Sequence, residues 1–289
     1  MKVSIQKYDP SVDERPYVVD YEVDWHENMT VLEAITAIND GQEPVVFDFS
    51  CRGRDCGRCA VSLNGKPCLA CVTLVSEEGE NLVAPLPNFP VVRDLIVDKT
   101  KVTDRVAATM RRQRAKALTA EDLAVPVDPE LYAKMDPLEH CSRCCVCTAN
   151  CPVVAEKGLK KFAGPTQLIA IALRHYDPYD QGDRVIEAVQ AGLFECIQCG
   201  ACDEVCKALE IDHLGTWADL RAAAEERAFA DYVLGTLSEE RAGEQNMTMG
   251  NNGAIIPTSI ANRIIKSVKD RCPILSRATI YNVKGTLKV

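Results

Sequence analysis

The sequence predicts an α+β protein: a small β domain with one helix over residues 1–100, an all-α domain over 101–215, and a mostly helical C-terminal extension over 216–289. Three observations carry this reading. β-branched and aromatic runs broken by turn residues fill the first hundred positions. Helical patterns interrupted by cysteine loops then replace them. Finally, residues 141–151 and 196–206 repeat one cysteine motif at the same spacing.

In the first domain, Val3-Ser4-Ile5-Gln6-Lys7-Tyr8 and Tyr17-Val18-Val19-Asp20-Tyr21-Glu22-Val23, separated by Asp9-Pro10-Ser11, read as a hairpin. A short helix follows, with apolar Val31, Ile35 and Ile38 on one face. Thr30 is its cap and Glu33 stands in the capping-box position. Asn64-Gly65 is a turn signal between Ala60-Val61-Ser62-Leu63 and Cys68-Leu69-Ala70-Cys71. Residues 103–118 are polar, basic and helix-compatible, and Arg111-Arg112-Gln113-Arg114 reads as a solvated helix face. Pro126, Pro129 and Pro137 mark residues 122–137 as an extended linker between helices. The extension reads as an alanine- and glutamate-rich helix, a loop at Met249-Gly250-Asn251-Asn252-Gly253, and a further helical or mixed segment.

Composition excludes several classes. A net charge of −9, from 33 basic and 42 acidic residues, opposes a nucleic-acid binder. The best apolar run, Leu168-Ile169-Ala170-Ile171-Ala172-Leu173, is far below the roughly 18 residues of a membrane span. The opening residues show no apolar core of a leader peptide, so any meeting with a membrane is expected through another subunit. No Gly-x-Gly-x-x-Gly or phosphate loop marks a flavin or nucleotide site.

The fifteen cysteines are the abnormal count. Disulfide scaffolds are short chains in which cystines replace a core. This chain is long and has no cysteine from Val72 to His140; elsewhere its cysteines fall mostly in tight groups. Cys-x2-Cys units put thiolates on one small loop, which is metal-ligand geometry in a reducing compartment. Cys51-x4-Cys56-x2-Cys59 has the spacing of plant-type [2Fe–2S] loops, with Cys71 as fourth ligand across the Asn64-Gly65 hairpin. A zinc knuckle, the rival, favours evenly paired Cys-x2-Cys units. The runs Cys141-x2-Cys144-x2-Cys147-x3-Cys151-Pro152 and Cys196-x2-Cys199-x2-Cys202-x3-Cys206 match the bacterial two-cluster pattern, in which the fourth cysteine ligates the other cluster. One [4Fe–4S] cluster is therefore assigned to Cys141, Cys144, Cys147 and Cys206. The other takes Cys151, Cys196, Cys199 and Cys202.

Other residues are weighed against ordinary roles. Cys68 is an alternative to Cys71, but the hairpin register favours Cys71 and leaves Cys68 a small buried residue. Cys145 and Cys272 lie off the ligand spacing and read as bystanders. His26, His140, His175 and His213 are scattered, and surface or core positions are their default.

The order of these motifs resembles the iron–sulfur subunit of the succinate dehydrogenase/fumarate reductase (complex II) family. The likeness extends to Thr30-Val31-Leu32-Glu33-Ala34, Phe49-Ser50-Cys51-Arg52, Asn64-Gly65-Lys66-Pro67, Leu69-Ala70-Cys71, Val92-Arg93-Asp94-Leu95-Ile96-Val97-Asp98 and Phe162-Ala163-Gly164-Pro165. It covers roughly residues 1–215. It implies an N-terminal β-grasp [2Fe–2S] ferredoxin-like domain followed by an all-α dicluster ferredoxin-type domain. It also implies an electron-transfer subunit without a complete catalytic site. Electrons would pass between an FAD-containing dicarboxylate subunit and a quinone or other low-potential carrier. The complex would meet the cytoplasmic side of a membrane through a membrane anchor or quinone-binding subunit. The alternative partner is another flavin reductase or a heterodisulfide-reductase-like protein. A zinc-stabilised scaffold and a freely diffusing ferredoxin are the remaining rivals.

Two departures matter. Best-known members hold a [3Fe–4S] third cluster and have no cysteine where this chain has Cys199, so the expectation here is [4Fe–4S]. The family's quinone site uses a tryptophan after the Cys-Pro and a histidine after the cysteine matching Cys196. This chain has Val153-Val154-Ala155-Glu156 and Ile197-Gln198 there, which is closer to branches with a different anchor or a thiol donor. Lys207 also replaces a proline expected after Cys206.

Overall fold

Alternating burial along the first strand sets the sheet. β1 (Lys2–Lys7) turns Val3 and Ile5 inward and pairs antiparallel with β2 (Tyr17–Glu22), Lys2 facing Glu22. The computed structural model describes residues 1–41, 43–206 and 211–233, with side chains of 229–233 left aside. β3 (Ala60–Leu63) and β4 (Lys66–Leu69) form a second hairpin, and β5 (Leu82–Ala84) lies parallel to β1 and antiparallel to β3. The order β2-β1-β5-β3-β4 is a mixed β-grasp sheet.

α1 (Val31–Gly41) places Val31, Leu32, Ala34, Ile35 and Ile38 in the same core as Val3, Ile5 and Val83. Full burial of one such Val or Ile contributes about 1.5–3 kcal/mol. The capping box forms as expected: Glu33 N donates to Thr30 Oγ1 at 3.2 Å, and Thr30 N donates to Glu33 Oε2 at 2.7 Å. Asn64 and Gly65 both take left-handed φ, as a tight hairpin turn needs. A small pair, β6 (Val91–Arg93) and β7 (Ile96–Val97), closes the domain. Asp94 between them is buried, and its carboxylate accepts from Tyr8 N at 3.1 Å and Val46 N at 2.9 Å.

The helical part follows in the same compact unit, Met1–Leu220. α2 (Thr100–Thr109) is shorter than the helix-compatible stretch, so Arg111-Arg112-Gln113-Arg114 is not a helix face. Those residues clamp a distant turn instead. Arg112 Nε donates to Asp177 Oδ2 at 2.5 Å, and Arg114 Nη1 donates to Tyr179 O at 2.7 Å.

The expected linker is also corrected. Residues 122–137 contain part of α3 (Ala120–Ala124) and most of α4 (Pro129–Glu139). Pro129 sits in the first turn, where no N–H is required, and Asp128 caps the helix. Pro137 is carried inside the last turn because Leu131, Met135 and Leu138 anchor this helix to the second core.

Beyond it come α5 (Val146–Ala149), α6 (Pro152–Lys157), α7 (Pro165–Tyr176), α8 (Arg184–Gln190), a 3-10 turn (Leu193–Glu195), α9 (Ala201–Val205) and α10 (His213–Val233). α7 is buried almost along its length and is the spine of this domain. Of the extension, α10 is described to Val233; the 249–253 loop, the later segment and Cys272 lie outside the described residues. Among the described residues no helix is long and apolar enough to cross a membrane.

Candidate metal centres

The first cysteine loop is shaped by left-handed backbone. Arg52, Arg54 and Gly57 all have positive φ, which coils residues 51–59 tightly enough to aim N–H groups at sulfur. Cys51 Sγ accepts from Gly53 N and Cys56 N, each at 3.3 Å. These backbone N–H groups, Gly53 first, pull the Cys51 thiol down to about 7. Cys59 immediately precedes β3, and Cys71 lies just past β4. Ala70 N donates to Cys59 O at 2.9 Å, closing the hairpin mouth around the two. Burial, with Cys71 nearby, pushes Cys59 up to about 12. Cys68 stands within the ladder opposite Val61 and is buried in the core.

The two later runs fold as a structural repeat. Arg143 and Cys145 have φ of 56° and 69°; their counterparts Gln198 and Gly200 have 55° and 78°. Each run then enters a short helix, α5 or α9. The last cysteine of each run is carried away from its own loop: Cys151 is the N-cap of α6, with Pro152 in the first turn, and Cys206 is the C-cap of α9.

Two pockets result. One, the middle of the three cysteine sites along the chain, is lined by Cys141, Cys144, Cys145, Cys147 and Cys206, with Leu69 and Ile169 in its wall. The other, at the third cysteine site and called the third pocket below, is lined by Cys151, Cys196, Cys199 and Cys202, with Phe162 and Trp217 in its wall. Burial raises the thiols of both: Cys141 and Cys202 to about 12, and Cys147 well above its ordinary value, with neighbouring cysteines adding to the effect. Thiols so raised stay protonated at neutral pH unless a cation takes the proton's place.

The donor sets fit iron–sulfur clusters. None of the described cysteines is in a disulfide. The cysteines of each pocket stand among apolar walls, and Gln198 N donates to Cys196 Sγ at 3.4 Å. Trp217 is fully buried and its Nε1 has no hydrogen-bond partner among the described residues, as suits a wall facing a polar occupant.

Several contacts had no signal in the spacing of the motifs. His26 and His140 are exposed and His175 is half-buried, but His213 is buried, with Nδ1 2.7 Å from Asp203 Oδ1 beside Cys202. Thr166 Oγ1 meets Cys147 Sγ, and Thr148 Oγ1 meets Thr166 Oγ1 behind it. Lys99 Nζ donates to Cys144 O at 3.1 Å and Asn88 Nδ2 to Ala149 O at 2.8 Å, tying the β domain to the second loop.

Comparison with known proteins agrees with this architecture. Residues 2–104 match the family described as a 2Fe-2S iron-sulfur cluster binding domain, and residues 137–209 the 4Fe-4S dicluster domain. The fumarate reductase iron-sulfur subunit of Escherichia coli O6:H1 is 30% identical over 243 residues, covering 82% of this chain and 96% of that one. A subunit of the fumarate reductase (CoM/CoB) of Methanothermobacter marburgensis is 34% identical over 207 residues, 71% of this chain. The chain spans 40% of that relative, and 52% of an uncharacterized iron-sulfur protein of Methanocaldococcus jannaschii that is 30% identical. A chain of the Mycobacterium smegmatis Sdh1 complex superposes with a TM-score of 0.71 at 25% identity, covering 79% of this chain and 96% of that one.

Proposed function

Because the chain belongs to the family of fumarate reductase and succinate dehydrogenase iron–sulfur subunits, we propose that it relays electrons between an FAD-containing dicarboxylate subunit and a quinone or other low-potential carrier. The observation that carries this reading is the exchange of Cys151 and Cys206 between the two pockets, which brings the last cysteine of each run to the first three of the other. In this reading Cys51, Cys56, Cys59 and Cys71 hold a [2Fe–2S] cluster. Cys141, Cys144, Cys147 and Cys206 hold one [4Fe–4S] cluster, and Cys151, Cys196, Cys199 and Cys202 hold the other. When bound, such clusters supply one-electron carriers at fixed stations.

The polypeptide's share is holding, shielding and tuning. Gly53 and Cys56 N–H groups stabilise negative sulfur at Cys51. Phe162, Leu214 and Trp217 exclude water from the third pocket, whereas Cys199 on its rim is exposed. That rim is where an outside carrier would come nearest. We place FAD, the dicarboxylate site and any membrane anchor on partner subunits, with this chain peripheral on the cytoplasmic side, where thiolates stay reduced. The lack of the family's tryptophan and histidine beside the third pocket, together with the CoM/CoB named for one relative, favours a thiol donor as the outside carrier.

Anaerobic iron and sulfide analysis tests the assignment. The expected result is about ten irons per chain in brown protein, with reduced [2Fe–2S] and [4Fe–4S] signals by EPR. Colourless protein with zinc alone would overturn it.

A further inference from the structure

Two buried threonines meet the thiol at the back of the middle pocket. Thr166 Oγ1 lies 3.3 Å from Cys147 Sγ and 2.8 Å from Thr148 Oγ1, and Thr166 N donates to Thr148 Oγ1 at 3.2 Å. Both hydroxyls are essentially sealed from water, at 0% and 2% exposed for Thr148 and Thr166, so neither has a solvent partner. Gly164 fixes the pair from the other side: at φ +88°, a Cβ there would stand 2.8 Å from Thr148 Cγ2.

Hydrogen counting then sets the direction of each bond. A cysteine bound to iron has lost its proton, so its sulfur can only accept. Across the 3.3 Å contact the Thr166 O–H is therefore the donor to Cys147 Sγ. Its one hydrogen so used, Thr166 Oγ1 accepts from the Thr148 O–H, while Thr148 Oγ1 accepts from Thr166 N. The neighbouring Cys145 is a weaker candidate, because its own thiol donates to Arg143 O at 3.5 Å and it is neutral.

We propose that Thr148 and Thr166 form a buried donor chain ending on Cys147 Sγ, and that this chain sets the potential of the middle cluster. The inference rests on the cluster assignment above and goes beyond it by naming positioning residues that are not ligands. A donor to a cluster sulfur stabilises the reduced, more negative state more than the oxidised one, and so raises the reduction potential. Cys147 and Thr166 are both buried, so solvent screens that bond little.

The test is a redox titration of the whole protein followed by EPR. Thr166→Val keeps the shape and removes the donor: one [4Fe–4S] midpoint should fall while the other two potentials stay. Thr166→Ser should return the wild-type value, and Thr148→Val should give a smaller fall in the same direction. A fully assembled Thr166→Val protein with unmoved potentials would overturn the donor chain while leaving the cluster assignment standing. Independently of any variant, double resonance on wild-type protein with clusters reassembled in D2O should show an exchangeable deuteron coupled to that reduced centre; its absence would also overturn the inference. A protein that carries zinc and no iron removes both readings.

Discussion

Gly57 and Cys144 meet backbone to backbone: a Cβ placed on Gly57 would stand 2.7 Å from Cys144 Cβ and 2.8 Å from Cys144 Cα. No side chain separates the first cysteine loop from the second at this point. Gly57 also holds φ +65°, so two independent demands select glycine here. Relay between the proposed first and second stations depends on this close approach.

Gly57→Ala is expected to destabilise the protein by about 2–4 kcal/mol, combining left-handed strain with overpacking. Thermal unfolding of the holo-protein beside wild type measures it. An unchanged melting temperature would mean that the two loops are not in contact in solution.

Cys199→Ser removes the exposed corner of the third pocket. The expected product is a three-iron centre at a higher potential, with the oxidised protein showing a new EPR signal. Iron content should fall by about one atom per chain. If neither changes, Cys199 is not a ligand.

Asp180 and Arg184 make the most buried ion pair among the described residues, with side chains 1% and 2% exposed and Nη2 2.8 Å from Oδ2. Burial pushes the Asp180 carboxyl up, but hydrogen bonds from Arg184 and from the Gly182 and Gln113 N–H groups outweigh it and hold the group below its ordinary value. A depressed folded value means that stability is present above the unfolded carboxylate range and lost as pH falls through the folded value. Asp180→Asn should therefore cost about 3 kcal/mol at neutral pH, because Arg184 keeps Glu187 but loses a buried partner. It should also flatten the acid limb of the stability curve. Denaturation midpoints from pH 7 down to pH 3 decide this, and equal slopes for wild type and variant would refute it.

Cys145 occupies a left-handed position that its repeat-mate fills with Gly200. Cys145→Gly exchanges the loss of a small buried side chain for relief of about 1 kcal/mol of strain, so stability should change by less than about 1 kcal/mol. Iron content should be undiminished. Loss of iron in this variant would show that Cys145 is a ligand after all.

The local devices were legible in the chain because they act over a few residues. Thr30 and Glu33 bond across one helical turn, Asn64-Gly65 requires left-handed φ that few other pairs accept, and the cysteine runs carry their geometry in their spacing. Arg111-Arg112-Gln113-Arg114 and the proline-rich stretch misled for the opposite reason. Their partners, Asp177, Tyr179 and the α7 spine, lie far along the chain, and tertiary packing carried a proline inside α4 that local rules would place outside it.

By itself, then, the sequence determined the order of the two domains, the hairpins and caps, and which sulfur-bearing loops exist. Only the tertiary structure decided that Gly57 abuts Cys144, that the Thr148 and Thr166 hydroxyls close on Cys147, and that Asp203 meets His213. The physical reason is range. Backbone dihedral preference and ligand spacing act within a turn or two. The partners of a buried hydroxyl or imidazole depend on which distant segment excludes water from it.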